Sequence, residues 1–196
     1  MGSPISTVSP LAFIEPCLPW VALQPPSEEG WLHEVKHPGH RLMACRAGDN
    51  LRLFAQHGED WTERFPALVE AVRLLPVKSC IIDGELVGCD ENGNILRDSA
   101  DEAGAEDNVS YYAFDLIEVN GFDVRRDPIE DRKRGLAHLL RKAPDIMRFN
   151  PHFEREGEAV FREACRMGFD GVVSKRRGSP YLSGRCTNWL FSRKLD

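Results

Sequence analysis

The sequence predicts an α+β fold in which strands outnumber helices. Short runs rich in β-branched and aromatic residues recur along the chain, and only three segments have a helical spacing of apolar residues. Turn signals such as Gly48-Asp49-Asn50 and Asn120-Gly121 lie next to several of these runs, which favours antiparallel neighbours. These observations favour an α+β fold over a doubly wound parallel sheet.

Seven segments have the alternation or the β-branched composition of strands. They are residues 32–37, 40–46, 51–55, 80–88, 109–118, 170–175 and 188–194. The first three are predicted to form a short antiparallel meander. Residues 1–30 contain six prolines and are predicted as an extended arm that precedes the main domain, residues 31–196. The Gly-, Asn- and Asp-rich segment 90–108 is predicted as a mobile loop.

Three amphipathic helices are predicted. The first covers 64–75, where the apolar residues share one face. The second begins near Asp127, which is predicted to cap it with Pro128 in the first turn and Glu130 closing a capping box, and it runs to about residue 141. The third covers about 156–167 and ends at a glycine.

Composition and charge limit the function classes. The 196 residues form one large domain or two small ones, with no apolar run near the ~20 residues of a membrane span and no secretory signal. We therefore expect a cytoplasmic protein without a membrane partner. Six cysteines with no Cys-x-x-Cys pair predict reduced, mostly buried thiols and no zinc site.

The net charge of −6 argues against a free-standing nucleic-acid binder, because phosphate neutralisation supplies most of that affinity. The charges are unevenly spread, since acids crowd residues 83–107 whereas bases crowd 125–142 and 175–194. Two interpretations stay open. Either one face is basic enough to meet DNA, or the charges are the ordinary scatter of a solvated surface.

A lysine before a tight turn is the first candidate for chemistry. Lys36 ends a predicted strand, Pro38-Gly39 is a turn signal, and Arg41 opens the next strand. An amine becomes nucleophilic when its pKa falls towards neutrality, so Lys36 is a candidate nucleophile beside a phosphate-binding arginine. These residues alone favour the alternative of a surface hairpin with two solvated cations.

Two further stretches change this balance. Asp83-Gly84-Glu85 interrupts an apolar strand, and a second strand runs from Asp170-Gly171 to Lys175. Carboxylates within a β-branched run are costly to bury unless they meet a cation or a metal ion.

These motifs resemble those of the covalent nucleotidyltransferases, and among them the ATP-dependent DNA ligases. That family has Lys-x-Asp-Gly-x-Arg, Asp-Gly-Glu, Phe-Asp, Glu-Gly-x-Val-x-Lys and Trp-x-Lys-x-Lys in this order. The corresponding stretches are residues 36–41, 83–85, 114–115, 170–175 and 189–193, so the resemblance covers nearly the whole chain. Among these ligases, the sequence most resembles the ligase domain of bacterial end-joining enzymes and their stand-alone relatives. An RNA ligase or a capping guanylyltransferase is a further alternative, which residues 170–189 fit less well.

The resemblance implies a nucleotidyltransferase (ATP-grasp-like) domain of two packed antiparallel sheets flanked by helices, with the nucleotide between the sheets. It implies that Lys36 attacks the α-phosphate of ATP to form lysyl-AMP, with Mg²⁺ assisting. AMP then passes to the 5′-phosphate at a nick or break in double-stranded DNA, which is sealed. The resemblance also implies residue roles. Glu34 would lie near the adenine edge, Arg41 near the ribose and phosphates, and Phe114 on the adenine face, while Lys175 would contact the α-phosphate. Arg193 would also contact the nucleotide, Glu85 would lie near the ribose or the metal ion, and Asp170 would bind the metal ion.

The sequence departs from the family pattern at five positions. Pro38 replaces the aspartate of the first motif, and Gln56 stands where these ligases usually have an arginine. Asp170 is one methylene shorter than the glutamate of the fourth motif. In the fifth motif Phe191 replaces the first lysine and Arg193 the second. The ring of Phe191 cannot neutralise phosphate, and Gln56 cannot bind it in a bidentate manner. A non-catalytic nucleotide-binding or DNA-repair accessory module with the same fold is therefore the alternative function.

The family continues after the fifth motif into an OB-fold domain, which residues 1–196 do not include. Without that domain we expect slow self-adenylation and weak sealing. The sequence leaves open whether the difference reflects a piece of a longer chain, a natural truncation or a decayed copy. We expect a monomer, with a DNA end-binding repair protein as a possible further partner.

Overall fold

The computed structural model describes residue 9 and residues 11–96 and 108–194, which form two packed sheets and three helices. In chain order the strands are β1 (Cys17–Ala22), β2 (Trp31–Lys36), β3 (His40–Ala47), β4 (Asn50–Ala55), β5 (Ser79–Cys89), β6 (Ile95–Leu96), β7 (Val109–Val119), β8 (Phe122–Asp123), β9 (Met147–Phe149), β10 (His152–Phe153), β11 (Gly171–Arg176) and β12 (Gly184–Arg193). The helices are α1 (Pro66–Arg73), α2 (Ile129–Leu140) and α3 (Gly157–Arg166).

The smaller sheet has five strands in the order β1-β12-β11-β2-β10. Strand β11 is antiparallel to both of its neighbours, whereas β1 runs parallel to β12. Strand β1 lies within the segment predicted as an extended arm, so that segment supplies part of a sheet. The strand is at the sheet edge, which is where a proline such as Pro19 is tolerated because it cannot donate a ladder hydrogen bond.

The larger sheet has seven strands, with β4-β3-β5-β7-β8 in order, β6 beside β5, and β9 parallel to β7. The predicted meander is therefore correct only for β3 and β4, which pair with each other. Strand β2 belongs to the other sheet, so the turn after Lys36 carries the chain from one sheet to the other. A Cβ on Gly39 in this turn would come within 2.3 Å of the carbonyl oxygen of Leu86, so the close approach requires glycine.

Apolar side chains fill the space between the two sheets and cover their outer faces. Met43, Ile81, Ile117 and Trp189 belong to the cluster between the sheets. Helices α1 and α2 pack on the outer face of the larger sheet, and α3 packs on β2 and β11 of the smaller one. The prediction of an α+β fold with two packed sheets is confirmed, with two parallel strand pairs among the antiparallel ones.

The predicted helices are all present, but the start of α2 differs from the prediction. Pro128 is its N-cap residue, and no side chain caps it, so the predicted Asp127 capping box is wrong. The carboxylate of Glu130 instead accepts a hydrogen bond from the backbone N–H of Gly178, 2.8 Å away, in a tertiary contact. Gly168 follows α3 with φ +88°, as the predicted helix end requires.

Two further sequence predictions concern the loop and the membrane. Within the segment predicted as a loop, Ile95 and Leu96 pair with β5, and residues 97–107 lie outside the described residues. In the described part of the chain, no helix has both the length and the apolar composition needed to cross a bilayer. All six cysteines are free thiols in this structure, and five of them are buried.

Candidate active site

A cavity of about 480 Å³ lies between the two sheets, close to the turn that follows β2. Six of the predicted site residues line it, namely Glu34, Lys36, Arg41, Glu85, Phe114 and Lys175. They come from β2, β3, β5, β7 and β11, so both sheets contribute. Charged groups and aromatic rings therefore face one space large enough for a nucleotide-sized ligand.

Lys36 lies at the end of β2 with 29% of its side chain exposed. Its Nζ donates hydrogen bonds to Glu85 Oε1 and to the carbonyl oxygen of His37, each 2.7 Å away. Burial raises the pKa of Glu85, and the positive charge of Lys36 opposes that shift. The amine is thus held by a buried carboxylate and still reaches the cavity.

Arg41 is fixed by a buried carboxylate. Its Nε and Nη2 each donate to Asp83, with both distances 2.6 Å, and Nη2 also reaches the carbonyl oxygen of Cys17 at 3.1 Å. The hydroxyl of Tyr181 donates to the same carboxylate at 2.6 Å. The guanidinium lies 4.7 Å from the ring centroid of Phe114. Bidentate pairing of this kind leaves the arginine little freedom to move.

Glu34 is buried between two lysines. Its Oε1 lies 2.8 Å from Lys133 Nζ and its Oε2 lies 3.0 Å from Lys175 Nζ. Burial lowers the pKa of Lys133, and the charge of Glu34 opposes this. Both amines also approach the carbonyl oxygen of Phe114, at 3.3 and 3.5 Å. One carboxylate balances two cations, so the group as a whole leaves an uncompensated positive charge beside the cavity.

Two aromatic rings form a wall of the cavity. Lys175 Nζ lies 4.4 Å from the ring centroid of Phe114 and 4.0 Å from that of Trp189, and the two rings meet edge to face at 6.1 Å. Phe114 is only 8% exposed, so it is part of the core as well as of the cavity lining.

The comparisons with known proteins decide the family. The model of the ATP dependent DNA ligase domain matches residues 21–191. The chain belongs to this family. The multifunctional non-homologous end joining protein LigD of Pseudomonas aeruginosa is 36% identical over 182 residues, which is 91% of this chain and 22% of that protein. The DNA ligase of Natronomonas pharaonis is 33% identical over 175 residues, covering 83% of this chain and 32% of its own length.

A solved structure of a DNA ligase is also similar to this chain. A mycobacterial DNA ligase D complexed with ATP and MES has a TM-score of 0.80 and 25% identity, over 93% of this chain and 61% of that chain. This chain therefore spans about a fifth to a third of the two curated ligases, and under two thirds of the solved one.

Two residues that the ligase resemblance singled out lie outside the cavity lining. Arg193 is exposed at the end of β12. Asp170 precedes β11, where its backbone N–H donates to the carbonyl oxygen of Lys36 at 3.3 Å. Of the departures from the ligase pattern, Gln56 and Phe191 both line the cavity.

The two buried carboxylates of the cavity, Glu85 and Glu34, differ in how well they suit Mg²⁺. Mg²⁺ in phosphoryl-transfer sites uses one or two protein carboxylates together with phosphate oxygens and water. Glu85 meets that need, because it is buried next to Lys36 and faces the cavity. Glu34 does not, because two lysines already neutralise it. Across the described ranges no group of three or more His, Cys, Asp and Glu side chains could by itself hold a metal ion.

Sequence reasoning missed three residues that build this site. Lys133 holds Glu34, the amide of Asn150 reaches Val35 O at 3.3 Å, and His37 Nε2 lies 3.1 Å from Asn150 Oδ1. His37 also stacks on Tyr112, with 3.9 Å between ring centroids. Burial lowers the pKa of His37 to about 4, opposed by its hydrogen bond to Asn150.

A signal for Lys133 was present in the sequence. Arg132 and Lys133 lie on the same face of α2 as the buried Ile129, Leu136 and Leu140. Two cations on an apolar face require buried carboxylate partners. Those partners are Asp115 for Arg132, with N–O distances of 2.8 and 2.9 Å, and Glu34 for Lys133.

Proposed function

We propose that this chain carries out the adenylation step of an ATP-dependent DNA ligase, with Lys36 as the nucleophile. The observation that carries the proposal is the place of Lys36 Nζ. It lies at a cavity between two sheets, 2.7 Å from the buried Glu85 and in the same space as Arg41 and Lys175. Phosphoryl transfer depends mainly on positioning and charge neutralisation, which such an arrangement supplies.

The reaction begins when the Lys36 ammonium loses a proton, because only the free amine is nucleophilic. Glu85 is the carboxylate within hydrogen-bonding distance, and its raised pKa suits it to accept that proton. Lys36 Nζ then forms a bond to the α-phosphorus of ATP while the bond to the β-phosphate oxygen breaks, and pyrophosphate leaves. Once Glu85 has released that proton to solvent, its carboxylate would hold Mg²⁺, which would supply further charge neutralisation at the phosphates.

The other cavity residues divide the binding of ATP between them. Phe114 stacks on the adenine ring, and Glu34 lies at the adenine edge. Arg41, fixed by Asp83, contacts the ribose and the phosphates. Lys175 neutralises the α-phosphate, which the excess positive charge around Glu34 favours. Asp170 and Arg193 lie outside the cavity lining, so their metal and nucleotide roles have the least support in this arrangement.

The adenylyl group then passes to the 5′-phosphate of nicked or broken double-stranded DNA. Exposed basic residues from the end of the cavity strand β11 onwards support a DNA-facing surface. They are Arg176, Arg177, Arg185, Arg193 and Lys194. The name of the Pseudomonas relative refers to non-homologous end joining, so we include a protein that binds DNA ends as a candidate partner. We place the reaction in the cytoplasm, where DNA and ATP are both present. We also propose that the active form is a monomer, because residues of one chain line the cavity.

Labelling with ATP tests the proposal. The protein is incubated with α-labelled ATP and Mg²⁺, and an adduct that is stable in alkali and labile in acid is expected. Lys36→Ala should remove the adduct, whereas Lys78→Ala, which changes an exposed lysine, should keep it. An adduct that persists in Lys36→Ala would move the nucleophile elsewhere. No adduct, with no ATP-dependent rise in Tm, would identify a non-catalytic module, and labelling by GTP in parallel would identify a capping activity.

A further inference from the structure

Two cysteines from neighbouring strands lie in contact beside the cavity. The Sγ atoms of Cys17 in β1 and Cys186 in β12 are 3.0 Å apart. In the parallel register Cys17 lies opposite Gly184 and Cys186 lies opposite Pro19, so the two side chains share one face of the sheet. A disulfide needs a sulfur–sulfur distance of about 2.05 Å, which a further approach of about 1 Å would reach.

The two thiols differ in the direction of their pKa shifts. The hydrogen bond between the two sulfur atoms lowers the pKa of Cys186, although burial opposes it. Backbone N–H groups of Trp189 and Asn188 and the charge of Lys175 lower it further. The same hydrogen bond, together with burial, raises the pKa of Cys17 far above its usual value. Because Cys186 is the less buried of the two and its pKa is shifted downwards, we assign the thiolate, which is the reactive form, to Cys186 and the shared proton to Cys17.

The other cysteines lack this arrangement. Burial raises the pKa of Cys45 and of Cys80, so both stay protonated and unreactive. Cys165 is the most exposed of the six. No second pair of sulfur atoms in the described part of the chain lies within hydrogen-bonding distance. The most exposed cysteine, Cys165, is therefore not the cysteine with the lowered pKa, Cys186. An experiment can thus show whether exposure or a low pKa decides which cysteine is oxidised first.

We propose that Cys17 and Cys186 are a site of oxidative modification, at which a hydroperoxide joins β1 to β12 by a disulfide. The Cys186 thiolate attacks one peroxide oxygen, the O–O bond breaks, and hydroxide leaves a sulfenic acid on Cys186. The Cys17 sulfur then attacks the Cys186 sulfur, and the Cys17 proton leaves with the displaced hydroxyl as water. Two thiols are oxidised and one hydroperoxide is reduced. With Cys186 only 6% exposed, the oxidant has to be small, as hydrogen peroxide is.

The bond would hold one wall of the cavity together. Strand β1 supplies Leu18 and Pro19 to the lining, and β12 supplies Trp189 and Phe191. The carbonyl oxygen of Cys17 is an acceptor for Arg41. The two cysteines are 169 positions apart, so the bond closes a long loop and constrains the unfolded chain strongly. We expect oxidation to raise Tm by roughly 5–15 °C.

The test uses the reduced protein and hydrogen peroxide, without ATP or DNA. After brief treatment the protein is unfolded in iodoacetamide, digested and analysed by mass spectrometry. We expect a peptide that joins Cys17 to Cys186, that dithiothreitol separates, and that leaves four of the six cysteines alkylated. The crosslink should form at least tenfold faster than Cys165 loses its thiol. Cys165→Ser should not change the crosslink, which makes it the matched control.

The Cys17→Ser variant tests the order of the two steps and retains a hydroxyl donor. It should form no crosslink, and dimedone should trap a sulfenic acid on Cys186. The proposal is overturned if Cys165 oxidises first while Cys17 and Cys186 remain thiols. It is also overturned if the crosslink joins other cysteines, if dimedone labels no Cys186 in Cys17→Ser, or if the crosslinked protein has a lower Tm than the reduced one.

Discussion

Replacing Lys133 by methionine tests the charge balance beneath the cavity. Lys133 and Lys175 share the buried carboxylate of Glu34, and the Lys133 and Glu34 side chains are 1% and 2% exposed. Methionine has a similar length but no charge, so Lys175 would have to balance Glu34 alone. The Glu34–Lys175 pair would remain neutral, but the hydrogen bonds that Lys133 donates to Glu34 and to two carbonyl oxygens would be lost, which costs about 1–3 kcal/mol. For a chain of this size that corresponds to a fall in Tm of roughly 2–12 °C.

The neighbouring residue supplies the control. Arg134 pairs with Asp131 on the outer face of the same helix, with 75% and 47% of the two side chains exposed. Arg134→Met should therefore cost less than about 1 kcal/mol, because exposed ion pairs contribute little. Urea unfolding followed by circular dichroism measures both variants. The reasoning is refuted if Lys133→Met costs no more than Arg134→Met.

A double-mutant cycle separates charge from packing. If Lys133 acts by balancing Glu34, the Glu34→Gln/Lys133→Met protein should be more stable than the sum of the two single changes implies, by about 0.5–3 kcal/mol. In the Lys133→Met protein we also expect slower formation of the Lys36 adduct, since Lys175 would be drawn to Glu34. Additive costs in the cycle would show that packing alone explains the loss.

Three further predictions follow from the cavity. Phe114→Leu should weaken ATP binding by about 1–3 kcal/mol, the usual worth of base stacking, and reduce stability by less than about 1.5 kcal/mol; calorimetric titration with ATP and urea unfolding measure the two effects. Gly39→Ala should lower stability by about 1–3 kcal/mol, because the new Cβ would overlap the carbonyl oxygen of Leu86; an unchanged Tm would contradict the close approach. The pKa of His37 is about 4 in the folded state, below its usual value of about 6.5 in the unfolded chain. Its contribution to stability is therefore complete above pH 6.5 and is lost as the pH falls from 6.5 to 4, a loss of about 3 kcal/mol. His37→Phe should remove this part of the pH dependence of unfolding.

The sequence predicted most of the strands, all three helices and six of the residues around the cavity. Those residues were found because ordered short motifs place them, and Lys36, Glu85 and Lys175 each belong to one of the motifs. Lys133 and Asn150 belong to none of the motifs used. Their partners are far along the chain, since Asn150 reaches Glu34 across 116 positions and His37 across 113. No local pattern encodes such a pairing.

By itself the sequence determined where the three helices and seven of the twelve described strands form, because the spacing of apolar residues acts within a few positions. It also determined the family, through the order of its motifs. Only the tertiary structure decided that β2 and β3 belong to different sheets and that β1 pairs with β12 in parallel. It likewise decided that Glu34 faces two lysines. Strand partners and buried charges are chosen by burial and by compensation between distant residues, and neither is fixed until the sheets pack.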